Sequence, residues 1–171
     1  MRWVNHKPVT AAIVYAATGD ILAAAIAMVS SVVPDLIEHP FMGLIKHRGI
    51  THLWPLYLIP FIVLVSLGHF YLAMFFGGAF LHLVEDGLSI SGVRLWPFEK
   101  HFALKLYRTF GISEYVTTAV LIGLCAVYIK YAGYIDHSYL NFQVANLKNT
   151  FGNMHLTTSW HGILRLIQKI G

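Results

Sequence analysis

The longest uncharged stretch of the chain runs from Ile50 to Val84, where no Asp, Glu, Lys or Arg occurs. A single straight helix over this stretch would be about 52 Å long at 1.5 Å per residue. The hydrocarbon core of a bilayer is only about 30 Å thick. Two antiparallel spans with a break near Gly68–His69 therefore fit better than one helix. The pattern predicts a span over about 53–67, with Pro55 in its first turn, and another over about 71–88.

Two further apolar segments flank this pair of predicted spans. The chain carries no charge between Glu114 and Lys130, which predicts a third span over about 114–132. The first segment, residues 8–33, is interrupted by Gly19–Asp20, which combine a turn signal with a charge that is costly in lipid. A single tilted helix and a hairpin of two short helices, about 10–17 and 21–32, are both compatible with it. The hairpin is favoured because it accounts for both residues.

The last part of the chain has a different character. Apolar residues at 160, 163, 164 and 167 alternate with polar ones, which is typical of an amphipathic helix in the membrane interface. The pattern as a whole predicts an all-α, polytopic helical membrane protein with an N-terminal helical hairpin, about three spans and a C-terminal amphipathic helix. Residues 1–134 are expected to form the helical membrane domain with a candidate metal site, and residues 135–171 an interfacial tail.

Composition supports a membrane location. Hydrophobic residues make up 57% of the chain and charged residues 12%, whereas soluble domains carry about 25% charged residues. The net charge of +4 suits a surface beside anionic lipid headgroups. Basic residues do not interleave with aromatic ones to form a groove, so nucleic acid is not an expected partner. The single cysteine, Cys125, lies in an apolar run and cannot form an intrachain disulfide.

Polar residues gather at the predicted helix ends. Asp35 follows the first apolar segment, and His47 and His52 precede the second. His82 and Asp86 are four positions apart, so they share one helical face. A span beginning near residue 53 and the next ending near 88 would bring these groups to one membrane face. Imidazoles and carboxylates ligate metals, and acids at membrane depth are energetically costly, which makes them candidates for a functional role. The sequence therefore predicts a metal site at that face.

The order of these blocks resembles a known family. Pro34-Asp35, His47-Arg48-Gly49-Ile50-Thr51-His52, His82-x-x-x-Asp86 and Gly92-Val93-Arg94-Leu95-Trp96-Pro97-Phe98 resemble the YdjM-like inner-membrane metal-dependent hydrolases, over about residues 6–98. Asn5–His6 stands where family members carry a Thr-His pair. The resemblance therefore implies His6 as a further ligand, provided that the hairpin brings it to the face of Asp35. It also implies a bacterial inner (cytoplasmic) membrane location and a distant similarity to zinc-dependent phospholipases C and single-strand nucleases.

Two positions depart from the family pattern. Ile37 stands where a second Asp is usual, and Leu53 follows His52 where Ser is frequent. The first departure removes a candidate ligand of a second metal. It therefore bears on catalysis by several metals more than on metal binding itself.

The residues and the resemblance together favour a membrane-bound metal-dependent hydrolase acting on a phospholipid or another phosphodiester. Zinc fits the His-rich site, with Mn²⁺ and Fe²⁺ as alternatives. Glu38 is the expected proton acceptor. Arg48 is expected either to bind a phosphate through two hydrogen bonds or to contact lipid headgroups. The expected metal ligands are His6, Asp35, His47, His52, His82 and Asp86. The alternative is a non-catalytic structural or regulatory subunit of a membrane or secretion assembly, with other membrane proteins as partners.

Overall fold

The computed structural model describes residues 1–38, 50–95, 100–136, 139 and 141–149. Residues Met1–Ala132 form one compact unit that is built almost entirely of helices. Its elements are α1 (Trp3–Thr18), α2 (Ile21–Ser30), α3 (Val33–Glu38), a 3₁₀ turn (Ile50–His52), α4 (Pro55–Ser66), α5 (Phe70–Gly87), β1 (Val93–Leu95), β2 (Lys100–Phe102) and α6 (Ile112–Tyr131).

The first apolar segment is divided into two helices at Gly19 and Asp20. Gly19 ends α1 in the left-handed conformation, with φ of 66°, and its N–H donates to the carbonyl of Tyr15. Glycine adopts this conformation without the steric cost that a Cβ would impose. The carboxylate of Asp20 then accepts hydrogen bonds from the N–H groups of Leu22 and Ala23, which caps α2. Helices α1 and α2 pack against each other.

The predicted break in the long uncharged stretch is confirmed. Helix α4 ends at Ser66, Gly68 has a φ of 77°, and α5 begins at Phe70. Pro55 is the first residue of α4, where its missing N–H leaves no intrahelical hydrogen bond unmade. The Tyr71 hydroxyl donates to Asp20 Oδ2 over 3.0 Å, so the two turns lie at the same end of the helices.

Small residues let α2 and α5 approach closely. A Cβ at Gly78 would overlap the carbonyl oxygen of Ala27 and the hydroxyl of Ser30. Alanines on both helices fill the remaining space, and Val14 and Met74 complete this core. The close approach fixes the position of the C-terminal half of α5, where His82 and Asp86 lie.

Helix α6 packs against α1 through a buried carboxylate. Glu114 is fully buried, and its Oε1 accepts hydrogen bonds from the Arg2 N–H and from Asn5 Nδ2, both over 2.7 Å. Its Oε2 accepts from the N–H of Phe110 over 2.8 Å. These bonds hold the first turn of α1, which carries His6, against the start of α6.

The unit is otherwise helical, as the all-α prediction expected, but the segment after α5 adds a short two-stranded ribbon. Strands β1 and β2 pair antiparallel, with Val93 opposite Phe102. The N–H groups of Leu104 and Leu106 donate to the carbonyls of Gly87 and Leu88. This backbone pairing extends a short ribbon along the C-terminal end of α5. The sequence interpretation assigned no structure here, because strands of three residues are too short for a periodic pattern.

Among the described residues, two segments are long and apolar enough to cross a membrane. They are Ile21–Glu38, which covers α2 and α3, and Ile112–Tyr131, which is α6 and corresponds to the span predicted over 114–132. The other two predicted spans correspond to α4 and α5. Helix α4 is a shorter apolar helix, and α5 has 18 residues and is therefore about 27 Å long.

The described residues from Gly133 onward belong to a second unit. Residues 141–149 are helical, and Gln143 Nε2 donates to the Tyr139 hydroxyl over 3.0 Å. The predicted amphipathic helix around residues 160–167 lies outside the described residues.

Candidate metal centre

Four elements bring histidines and carboxylates together within the first unit. His6 comes from the first turns of α1, and Asp35 comes from α3. His52 ends the 3₁₀ turn just before α4, and His82 and Asp86 lie one turn apart near the end of α5. All five residues are at least largely buried, with Asp35 the most exposed at 19% of its side chain. The cluster is therefore a polar site enclosed by helices.

The five residues form two overlapping groups of three. His6, His82 and Asp86 each offer a ligand atom within 4.8 Å of the other two, and so do Asp35, His52 and His82. His82 belongs to both groups. Its ring stacks on that of His6, with the centroids 4.0 Å apart, and lies 5.4 Å from that of His52. Because both groups contain His82, they form one cluster and not two separate sites.

Buried histidine nitrogens without hydrogen bonds mark the centre of this cluster. Within the described part of the chain, His6 Nε2 and both ring nitrogens of His82 make no hydrogen bond. His82 Nε2 lies 3.5 Å from Asp35 Oδ1 and 3.9 Å from Asp86 Oδ2, and His6 Nε2 lies 3.6 Å from Asp86 Oδ1. These separations exceed the usual N–H···O distance. Nitrogen and carboxylate donors spaced in this way are a set that zinc binds, so the residues present fit a metal ion.

Further carboxylates hold the rings from the outside. His6 Nδ1 lies 2.5 Å from Glu85 Oε2, and Glu85 Oε1 accepts a hydrogen bond from the Thr10 hydroxyl over 2.8 Å. Glu38 Oε1 lies 3.0 Å from His52 Nδ1 and also accepts from the Thr51 hydroxyl. Carboxylates that bind the outer nitrogen of a histidine fix its tautomer and orientation in metalloproteins. Both His6 and His52 therefore present Nε2 to the centre.

The inner carboxylates are held as well. The Trp3 indole Nε1 donates to Asp35 Oδ2 over 2.8 Å, which leaves Asp35 Oδ1 directed towards His52 and His82. The ammonium group of Met1 lies 2.6 Å from Asp86 Oδ1. Each acid thus has one oxygen bound to a neighbouring group and another oxygen near the imidazoles.

Most of the predicted site residues lie in one place. His6, Asp35, His52, His82 and Asp86 meet at the centre, and Glu38 touches it through His52. The predicted ligand His47 and the predicted phosphate-binding residue Arg48 lie outside the described residues.

Glu85 and Trp3 contribute to the centre but were not among the predicted site residues. Glu85 could have been found by its position beside Asp86 and by the His6–Thr10 pair, which are four apart and so share the face of α1 that meets it. No local signal in the sequence indicates the bond of Trp3 to Asp35.

Two cavities border the centre. An apolar groove of about 390 Å³ has His52 in its wall and is otherwise lined mainly by residues of α5 and the ribbon. A more polar cavity of about 340 Å³ is bordered by Arg2, Asp35, Asp86 and Phe110. Each cavity thus reaches at least one residue of the candidate metal centre.

The family model of the YdjM inner membrane proteins matches residues 1–146, which include every described residue of the candidate centre. The chain belongs to the YdjM inner membrane protein family. The resemblance inferred from the motif order is thereby confirmed. No curated protein and no solved structure is significantly similar to the chain.

Membership of the YdjM family makes this chain an inner membrane protein. The two apolar segments, Ile21–Glu38 and Ile112–Tyr131, fit that location. The candidate centre lies at the C-terminal end of the first segment. It is also close to the N-terminal end of the second, because Glu114 binds Arg2 and Asn5 beside His6.

Proposed function

We propose that this YdjM family member is a membrane-bound metal-dependent hydrolase that cleaves phosphodiesters. The observation that carries the proposal is the set of buried imidazole nitrogens that face carboxylates without hydrogen-bonding them. Leaving such groups unsatisfied costs folding free energy, on the order of 1–3 kcal/mol for each group. A bound cation would remove that cost, which explains why a small helical protein keeps these residues together.

The ligands would be His6, Asp35, His52, His82 and Asp86. Zinc suits this mixture of imidazole and carboxylate donors, and Mn²⁺ or Fe²⁺ are alternatives. When bound, a zinc ion supplies an acidified water and a positive charge for a phosphoryl oxygen. The missing acid at position 37 does not weaken this ligand set, because Ile37 is 44% exposed whereas the neighbouring Glu38 is buried against His52.

The other residues of the site would orient the ligands or give water access to the centre. Glu38 and Glu85 hold His52 and His6 by their outer nitrogens, so we assign both an orienting role. Glu38 also remains the predicted proton acceptor, since only the imidazole of His52 separates its carboxylate from the proposed metal position. Asp35 is partly exposed and borders the polar cavity, so water would reach the site beside it.

The proposed membrane arrangement places this centre at one bilayer face. Helices α1 and α2 form a hairpin that turns at Gly19, and α4, α5 and α6 provide about three spans. The Asp20–Tyr71 hydrogen bond supports this arrangement, because it puts the turn after α1 and the turn after α4 at the same end. His6, Asp35, His52 and Asp86 then share the opposite end. A tilted single helix over residues 8–33 would leave no turn at Gly19.

Hydrolysis of a chromogenic phosphodiester by detergent-purified protein tests the proposal. We expect zinc-loaded wild type to release the chromophore and His82→Ala to lose this activity, because His82 serves both groups of ligands. His69→Ala is the matched control, since His69 is exposed at the start of α5 and should be dispensable. Circular dichroism checks that both variants keep their helices.

Two results would contradict the hydrolase. One is equal activity in His82→Ala and wild type, which would trace the reaction to a contaminant. The other is bound zinc with no hydrolysis of any phosphodiester offered, which would favour the non-catalytic subunit of a membrane assembly.

A further inference from the structure

The apolar groove beside the candidate centre has the composition and the volume to hold part of a hydrocarbon chain. Its volume of about 390 Å³ falls in the range of ligand pockets. His52 of the centre forms part of its wall. Its apolar walls come from Trp54, Phe80, Val84, Leu88, Phe102 and Leu104. Val84, Phe102 and Leu104 are each more than 40% exposed, so the groove faces the surroundings of the helices.

The polar cavity beside the same centre carries the complementary chemistry. Arg2 borders it together with Asp35 and Asp86. The Arg2 guanidinium lies 4.7 Å from the ring centroid of Tyr115, and its Nε is 3.9 Å from Glu114 Oε2. Within the described residues, Arg2 Nε makes no hydrogen bond although it is buried. Arg2 therefore places a cation, already paired with Glu114, at the border of the cavity.

We propose that the substrate is a membrane phospholipid that enters sideways from the bilayer, with an acyl chain in the apolar groove and its phosphodiester at the centre. The part of the headgroup beyond the phosphate then extends into the polar cavity near Arg2. This inference rests on the proposed hydrolase function and names its substrate class. An amphiphile matches the surfaces that adjoin the centre, because the apolar groove touches His52 and the polar cavity touches Asp35 and Asp86.

Shape, rather than hydrophobicity, would select the lipid. Lipid tails in the bilayer are already as apolar as the groove, so moving a chain between them yields little hydrophobic free energy. The groove would instead fix the depth of the chain and thereby set the phosphate opposite His52. Filling the groove should for this reason displace the lipid without disturbing the ligands.

Photolabelling in vesicles tests the assignment. The probe is phosphatidylglycerol with a diazirine in one acyl chain, diluted into phosphatidylethanolamine and phosphatidylglycerol. Trypsin cleaves after Lys100 and Lys105, so peptide 101–105 reports on groove residues Phe102 and Leu104. Peptide 109–130, which covers the lipid-facing α6, serves as the reference for bulk lipid. We expect more label per residue in peptide 101–105 than in the reference.

Val84→Trp should block the groove, and Val65→Trp is its matched control. Both valines are exposed on apolar helices, at 44% and 48%, but only Val84 lines the groove. We expect Val84→Trp to lower the ratio of the two peptides by more than half and to keep the zinc content of wild type. Val65→Trp should leave the ratio unchanged.

An equal ratio in the two variants would overturn the lipid assignment, and so would a wild-type groove labelled no more than α6. Labelling requires no hydrolysis, so the two proposals fail separately. A labelled groove in a protein that hydrolyses nothing overturns only the hydrolase. An active hydrolase with an unlabelled groove overturns only the lipid substrate.

Discussion

Replacing Glu85 by Gln removes one negative charge from the candidate centre and almost no volume. Glu85 is 1% exposed and touches no proposed ligand atom, since it binds the outer nitrogen of His6. Its other oxygen accepts the Thr10 hydroxyl. The variant therefore isolates the outer support of His6 from the ligands themselves, and we expect weaker metal binding in a protein that still folds.

The size of the effect follows from these two hydrogen bonds. A bond to a charged acceptor is worth about 1.5–3 kcal/mol and a neutral one about 0.5–1.5 kcal/mol, so each bond loses about 1 kcal/mol. If only the weaker hydrogen bond to His6 reduces the binding free energy, zinc affinity falls about fivefold. If the weaker bond to Thr10 contributes as well, it falls about thirtyfold. Outer carboxylates of metal-bound histidines typically contribute about 10–100-fold.

Zinc titration of the detergent-purified protein against a chromophoric chelator measures this change. Glu114→Gln is the matched control, because Glu114 is equally buried and accepts hydrogen bonds from Arg2 and Asn5 but from none of the proposed ligands. The control should change thermal stability while keeping zinc affinity. An unchanged dissociation constant in Glu85→Gln, or the same loss in Glu114→Gln, would refute the reasoning.

Two further predictions concern packing and topology. Gly78→Ala should destabilise the protein by about 1–3 kcal/mol through overlap with α2, although alanine is the better helix former. Gly123→Ala, whose Cβ meets nothing, should not destabilise it, and a thermal melt in detergent that ranks the two variants alike would exclude the close packing of α2 and α5. In a Cys125→Ser background, His69→Cys and Arg108→Cys should react with a membrane-impermeant thiol reagent from opposite sides. Labelling of both from one side would rule out α5 as a span.

The helix breaks were predictable because their signals are local. Gly68 has a positive φ near the middle of an uncharged stretch that is too long for one span. Gly19 has a positive φ directly before the charged residue Asp20. Asp20 caps α2 with its own side chain, so its presence in an apolar segment is explained by its neighbours in sequence.

The residues of the candidate metal centre were also predictable, but the groups that support them were not. His82 and Asp86 share a helical face by spacing alone. Glu85 acquires its role only when α1 approaches α5, because its partners lie 79 and 75 positions away in the chain. Glu114 likewise meets Asn5 across 109 positions. Contacts at such separation leave no trace in local periodicity.

The metal content of the purified protein tests directly whether the buried cluster binds a metal ion through His82. Wild type, His82→Ala and His69→Ala would be loaded with zinc, dialysed and measured by elemental mass spectrometry. Because His82 belongs to both groups of proposed ligands, we expect stoichiometric zinc in wild type and in His69→Ala. We expect almost none in His82→Ala. Circular dichroism should show the same helix content in all three. A folded His82→Ala protein that retains as much zinc as wild type would show that His82 is not a metal ligand.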